Sequence, residues 1–77
     1  MRIDELVDKL DDLDCFAIIR SYNIEITNGG RPIATIRMDN EMMMNNCYYR
    51  WNYLDDDKKE AIIDLLFKFI KTRIEDR

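Results

Sequence analysis

The chain has 77 residues, 47% of them apolar and 36% charged, so it can bury a core and is not expected to stay disordered. At this length it forms one domain near the lower limit of stability, where a single core rarely supplies more than ~3–5 kcal/mol. The net charge of −4, from 12 basic and 16 acidic residues without any clustered Lys/Arg run, argues against direct nucleic-acid binding. No apolar run approaches the ~18 residues of a membrane span.

The opening "MRIDELVDKLDD" places Ile3, Leu6, Val7, Leu10 and Leu13 at i, i+3, i+4, i+7 spacing, which predicts an amphipathic helix over 2–13. Asp4, Glu5, Asp8, Asp11 and Asp12 occupy its other side. Asp4 and Glu5 suit the first turn, where the helix dipole favours negative charge, whereas Asp11, Asp12 and Asp14 face the carbonyl pole and should end the helix near Leu13. An acidic amphipathic start does not fit a signal peptide, so a cytoplasmic location is expected.

In "CFAIIRSYNIEITNGGRPIATIRMDN", Ile18, Tyr22, Ile24 and Ile26 share one parity and Ser21, Asn23, Glu25 and Thr27 the other. This alternation predicts one half-buried strand, bent or bulged around Arg20 to Tyr22. "NGGR" is a hairpin turn, because Asn28, Gly29 and Gly30 all tolerate positive φ. The return strand runs from Pro32 to Met38, with Ala34, Ile36 and Met38 inward and Thr35 and Arg37 outward; proline suits a first strand position. "EMMM" could add a third strand, ended by Asn45 and Asn46.

The stretch 48–53 reads as extended, with Tyr49, Trp51 and Tyr53 on the core face and Tyr48, Arg50 and Asn52 on the solvent face. Asp57-x-x-Glu60 then has the form of a capping box at the start of a helix over 58–74. The predicted architecture is a small α+β domain of order α-β-β-(β)-α, an antiparallel hairpin or meander sheet with two helices on one face. The apolar residues of the second helix cover more than the ~100° arc that one buried stripe needs. Either it contacts the first helix as well as the sheet, or two copies pair as a homodimer through it.

Catalytic equipment is sparse. There is no histidine, the commonest general base, and Ser21 is the only serine. The two glycines belong to the hairpin turn, so no phosphate-binding loop is available. Asp55, Asp56 and Asp57 are explained by capping the helix that follows. Cys15 and Cys47 are expected as free thiols in a reducing compartment, and two thiols without histidine make a poor zinc set. No catalytic, cofactor or metal residues are assigned, and an enzyme is not expected.

Binding is the remaining function class. "MMMNNCYYRWNY" concentrates methionine, aromatic residues and arginine, the composition of interface centres. Part of it must fill the core, and Tyr48, Arg50 and Met43 are the candidate partner-binding residues. The acidic face of the first helix, Asp4, Glu5, Asp8, Asp11 and Asp12, is the alternative, with carboxylates standing in for phosphates. A solvated helix face explains the same residues.

"IATI" in the return strand, the aromatic segment ending "YL" and the acidic-led helix closing on "IKTRIEDR" carry a family resemblance over 33–77. There the chain resembles small uncharacterised proteins encoded by phages and prophages of Gram-positive bacteria. Those proteins close on Thr-Pro-x-Glu-Glu-Arg, and here Arg73 stands at the proline position. The resemblance implies an accessory protein acting in the cytoplasm of a bacterial host, and it transfers no site residues. The function expected is a non-enzymatic module binding a host or phage protein, without direct nucleic-acid or membrane contact. The alternative is an acidic inhibitor of a nucleic-acid-targeting host defence enzyme, a DNA mimic or anti-CRISPR-like protein.

Overall fold

A computed structural model describes residues 1–46 and 48–77. Helix α1 spans Ile3–Asp11, and four strands follow: β1 Cys15–Ile19, β2 Asn23–Asn28, β3 Arg31–Arg37 and β4 Met44–Asn45. A 3-10 helix at Tyr49–Tyr53 leads into helix α2, Asp56–Ile70, and a short 3-10 turn covers Ile74–Asp76. The strands form one antiparallel meander in the order β1-β2-β3-β4. The fold is a small α+β domain, and no helix among the described residues is long and apolar enough to cross a membrane.

α1 buries Leu6 and Leu10, with Ile3 and Leu13 packed at the edge of the core. It ends two residues earlier than the pattern suggests. Asp14 then adopts φ 60°, a left-handed conformation that aspartate tolerates, and its amide donates to the Asp11 carbonyl at 3.0 Å. This tight exit turns the chain straight into β1.

The single bent strand expected over Ile18 to Ile26 is in fact two. Arg20 donates its amide to the Asn23 carbonyl at 2.8 Å, closing a two-residue turn at Ser21 and Tyr22. The turn reverses the chain, so Ile18 and Tyr22 stand exposed while Ile24 and Ile26 are fully buried. An irregularity is present, but in β3. The β2–β3 pairing shifts by one residue between Ile26 and Thr27, which leaves Ile33 as the extra residue. The bulge turns both Ile33 and Ala34 into the core, where strict alternation would bury only one of them. Gly29 and Gly30 lie at φ 61° and 78°, as a hairpin turn of this length demands.

Ile24, Ile26, Ala34 and Ile36 line the inner sheet face and meet Leu6, Leu10, Ile62, Leu66 and Phe69 in one buried cluster. The Asp57-x-x-Glu60 box does not cap α2. The cap is Asp55, whose carboxylate accepts the Lys58 amide at 2.7 Å, leaving Asp56 and Asp57 in the first turn. Helix α2 stops at Ile70, so Ile74 belongs to the separate 3-10 turn and is exposed. α2 packs against α1 as well as the sheet core, which absorbs its wide apolar arc; Phe67 is the large apolar side chain it leaves exposed. Past the helix, the Arg77 guanidinium donates to the carbonyls of Arg37, Met38, Asn40, Ile70 and Thr72 at 3.0–3.3 Å. It ties the loop after β3 to the end of α2.

Candidate functional site

Tyr48 is extended, but the next five residues wind into a 3-10 helix, with the Trp51 amide donating to Tyr48 at 3.1 Å and the Leu54 amide to Trp51 at 3.2 Å. The side-chain period therefore becomes three instead of two. Trp51 and Leu54, three apart, both turn to the core, and Leu54 is buried. Tyr49 and Tyr53, expected inside, are 70% and 61% exposed. Their rings meet edge to face with centroids 5.1 Å apart, and their hydroxyls lie 2.5 Å from each other. That hydrogen bond holds the Tyr53 phenol above its ordinary value, and since the bond uses one of the two hydroxyl hydrogens, the other is left to donate outward.

Arg50, expected to face solvent, is half-buried. Its Nε and Nη2 donate to the Asn28 side-chain oxygen at 3.2 and 2.9 Å, and Asn28 Nδ2 donates to the Asp14 carbonyl at 3.1 Å. A Cβ on Gly29 would lie 3.3 Å from Nη2, so the turn glycine leaves the room in which this guanidinium sits. The bidentate bond fixes the orientation of Arg50 without consuming its charge, because Asn28 is neutral.

Arg31, the residue after the glycine pair, completes the constellation. It is exposed, and among the described residues it is the arginine without an ion pair or hydrogen bond. Two adjoining shallow cavities share it. One of about 240 Å³ is lined by Arg31, Pro32, Tyr48, Tyr49 and Arg50, and one of about 290 Å³ by Arg31, Tyr49, Arg50 and Tyr53. Two guanidiniums without carboxylate partners beside a pair of exposed tyrosines make a surface suited to carboxylate-bearing groups and aromatic contact.

The structure thus brings Tyr48 and Arg50 together but places Met43 elsewhere. Met43, half exposed, lines a separate cavity of about 270 Å³ with Asn23, Thr35, Arg37, Met44 and Asn45. Arg37 there is already engaged by Asp39 through two contacts of 2.8 Å, which hold the Asp39 carboxyl below its ordinary value. Asp4, Glu5, Asp8 and Asp11 on α1 and Asp12 at its C-terminal cap all stand exposed. Tyr49 and Tyr53 were expected in the core, and Arg31 had no expected role. The available signal was an arginine beside a glycine pair with no acid within five residues.

Cys15 is free and fully buried, and burial pushes its thiol above the ordinary value. It is therefore unsuited to nucleophilic attack. The expectation of a free thiol at Cys47 falls on a residue outside those described. Ser21 lies in the β1–β2 turn instead of on a strand face. Among the described residues no three His, Cys, Asp or Glu side chains gather as a metal site. Comparison with known proteins finds no matching family model, no matching curated protein and no matching solved structure.

Proposed function

We propose that the chain is a non-enzymatic protein-interaction module, a phage or prophage accessory protein that binds a host or phage protein in the bacterial cytoplasm. The binding surface is the corner built by Arg31, Tyr48, Tyr49, Arg50 and Tyr53. The observation that carries this reading is the exposed Tyr49–Tyr53 pair beside an unpaired Arg31 in a chain with surplus acid. Tyrosine and arginine are the residues that dominate interface hot spots, and here two tyrosines in mutual contact line one cavity with Arg31 and Arg50.

The test is capture of a partner from host lysate by the wild type, Tyr49→Ala, Tyr53→Ala and Arg31→Glu, each beside a thermal melt. Loss of capture with an unchanged melt supports the corner. Capture that survives all three substitutions sinks it.

The exposure of all five acids on α1 and its C-terminal cap favours a second reading, the acidic inhibitor of a nucleic-acid-targeting host enzyme. Salt separates the two. Capture through α1 should weaken steeply with ionic strength and vanish on charge reversal of Asp8 and Asp12, whereas capture through the tyrosine corner should persist.

A further inference from the structure

β1 is an edge strand, and it lacks the devices that normally keep an edge from pairing. "CFAII" contains no charge and no proline, and its ladder with β2 runs without a bulge. The opposite side of the sheet is protected, since β3 is flanked by the two-residue β4 and by the 3-10 helix at 49–53. On β1, by contrast, Phe16, Ile18 and Ile19 are 66%, 41% and 57% exposed.

The hydrogen-bonding side of that edge follows from the turn. Arg20 and Asn23 are bonded, so alternation along an antiparallel pair makes Ile18–Glu25 and Phe16–Thr27 the bonded pairs. Cys15, Ala17 and Ile19 then aim their amides and carbonyls away from β2. No turn, cap or side-chain hydrogen bond among the described residues uses those backbone groups.

We infer that the chain forms a two-fold dimer by antiparallel pairing of β1 with β1 of a second copy, in the register centred on Ala17. That register places Cys15 opposite Ile19 of the second copy, so every outward-aimed backbone group in the strand finds a partner. Phe16 falls opposite Ile18 of the second copy on the open sheet face, so two symmetric pairs cover the exposed side chains. At each end Asp14 of one copy meets Arg20 of the other; their side chains are 82% and 61% exposed, and each would share its charge with the partner it has in its own chain, Lys58 at 3.2 Å and Glu25 at 3.4 Å. The registers centred on Phe16 or Ile18 shorten the ladder and set Asp14 against Ile18, or Phe16 against Arg20. Charge and overlap therefore select the Ala17 centre. The pairing joins two four-stranded sheets into one of eight strands, on the side of the sheet away from the Arg31 corner.

The experiment is light scattering on the full chain at micromolar concentration, with circular dichroism to confirm folding. The wild type should show twice the monomer mass. F16K/I18K sets like charges opposite each other across the two-fold axis and should halve the mass. F16E/I18K removes the same apolar groups but sets opposite charges face to face, so it should remain a dimer. Ala17→Pro, which deletes only an outward-aimed amide, should also give a monomer. A monomeric wild type overturns the inference, as does a dimeric F16K/I18K. A folded but monomeric F16E/I18K overturns the register. A dimer that survives Ala17→Pro but is lost in Phe67→Lys would place self-association on α2 instead.

Discussion

Arg50 and Asn28, twenty-two positions apart, are joined by two hydrogen bonds of 3.2 and 2.9 Å to a single amide oxygen. Asn28 is nearly fully buried at the end of β2, and its other end donates to the Asp14 carbonyl. The pair links the turn after α1, the β2–β3 hairpin and the aromatic 3-10 helix. Arg50→Ala should therefore cost stability, about 1–3 kcal/mol, because it strands a buried acceptor. Arg50→Lys should recover only part, since an ammonium cannot reproduce the planar fork. Urea unfolding of both variants checks this, and a wild-type midpoint for Arg50→Ala would contradict the linkage.

The two turn glycines should not respond alike. Both lie at positive φ, where an L side chain costs about 1–2 kcal/mol. A Cβ on Gly30 meets open space, but one on Gly29 lies 3.3 Å from the Arg50 guanidinium. Gly30→Ala should show the conformational cost alone. Gly29→Ala should show that cost plus displacement of Arg50, and combining it with Arg50→Ala should be less than additive. A double-mutant cycle on melting temperatures decides.

Arg77 gathers five backbone carbonyls and stacks over Phe69, with the guanidinium 5.0 Å from the ring centroid. Arg77→Ala should lower stability by about 1–3 kcal/mol. It should also speed amide hydrogen exchange in the loop after β3, where the Met42 amide bonds the Ile70 carbonyl at 3.0 Å. Unchanged exchange at Met42 would show that α2 holds the loop without the clamp.

Alkaline pH should weaken the fold through Cys15. Its folded-state pKa is raised by burial above the ordinary 9.0, so the folded state keeps the proton that the unfolded state releases. Stability from the neutral thiol is thus full below that ordinary value and is lost as pH rises toward the folded pKa. Tyr53, raised by its bond to Tyr49, acts in the same direction. Melting temperatures measured from pH 8 to 10 should fall less steeply for Cys15→Ala than for the wild type. Parallel curves would remove Cys15 from the account.

The helices, the Gly29-Gly30 hairpin and the inward set Ile24, Ile26, Ala34 and Ile36 were legible in the sequence, since each rests on a local rule of periodicity or turn chemistry. The fold class followed from their order. Three features were not legible, because each depends on groups far apart in the chain. Ser21 and Tyr22 carry no glycine signal, and only pairing Ile19 with Ile24 turns one apparent strand into a hairpin. The stretch 48–53 alternates well enough for a strand, yet β3 is already flanked by β4 at Thr35 and Ile36. Trp51 and Leu54 reach the core together only with a period of three, which pushes Tyr49 and Tyr53 into solvent. Arg50 reads as a surface residue until Asn28, buried by the hairpin, supplies the acceptor that draws it in. Composition along the chain determined which residues could bind; only the competition for core space and buried hydrogen bonds decided which of them were left outside to do so.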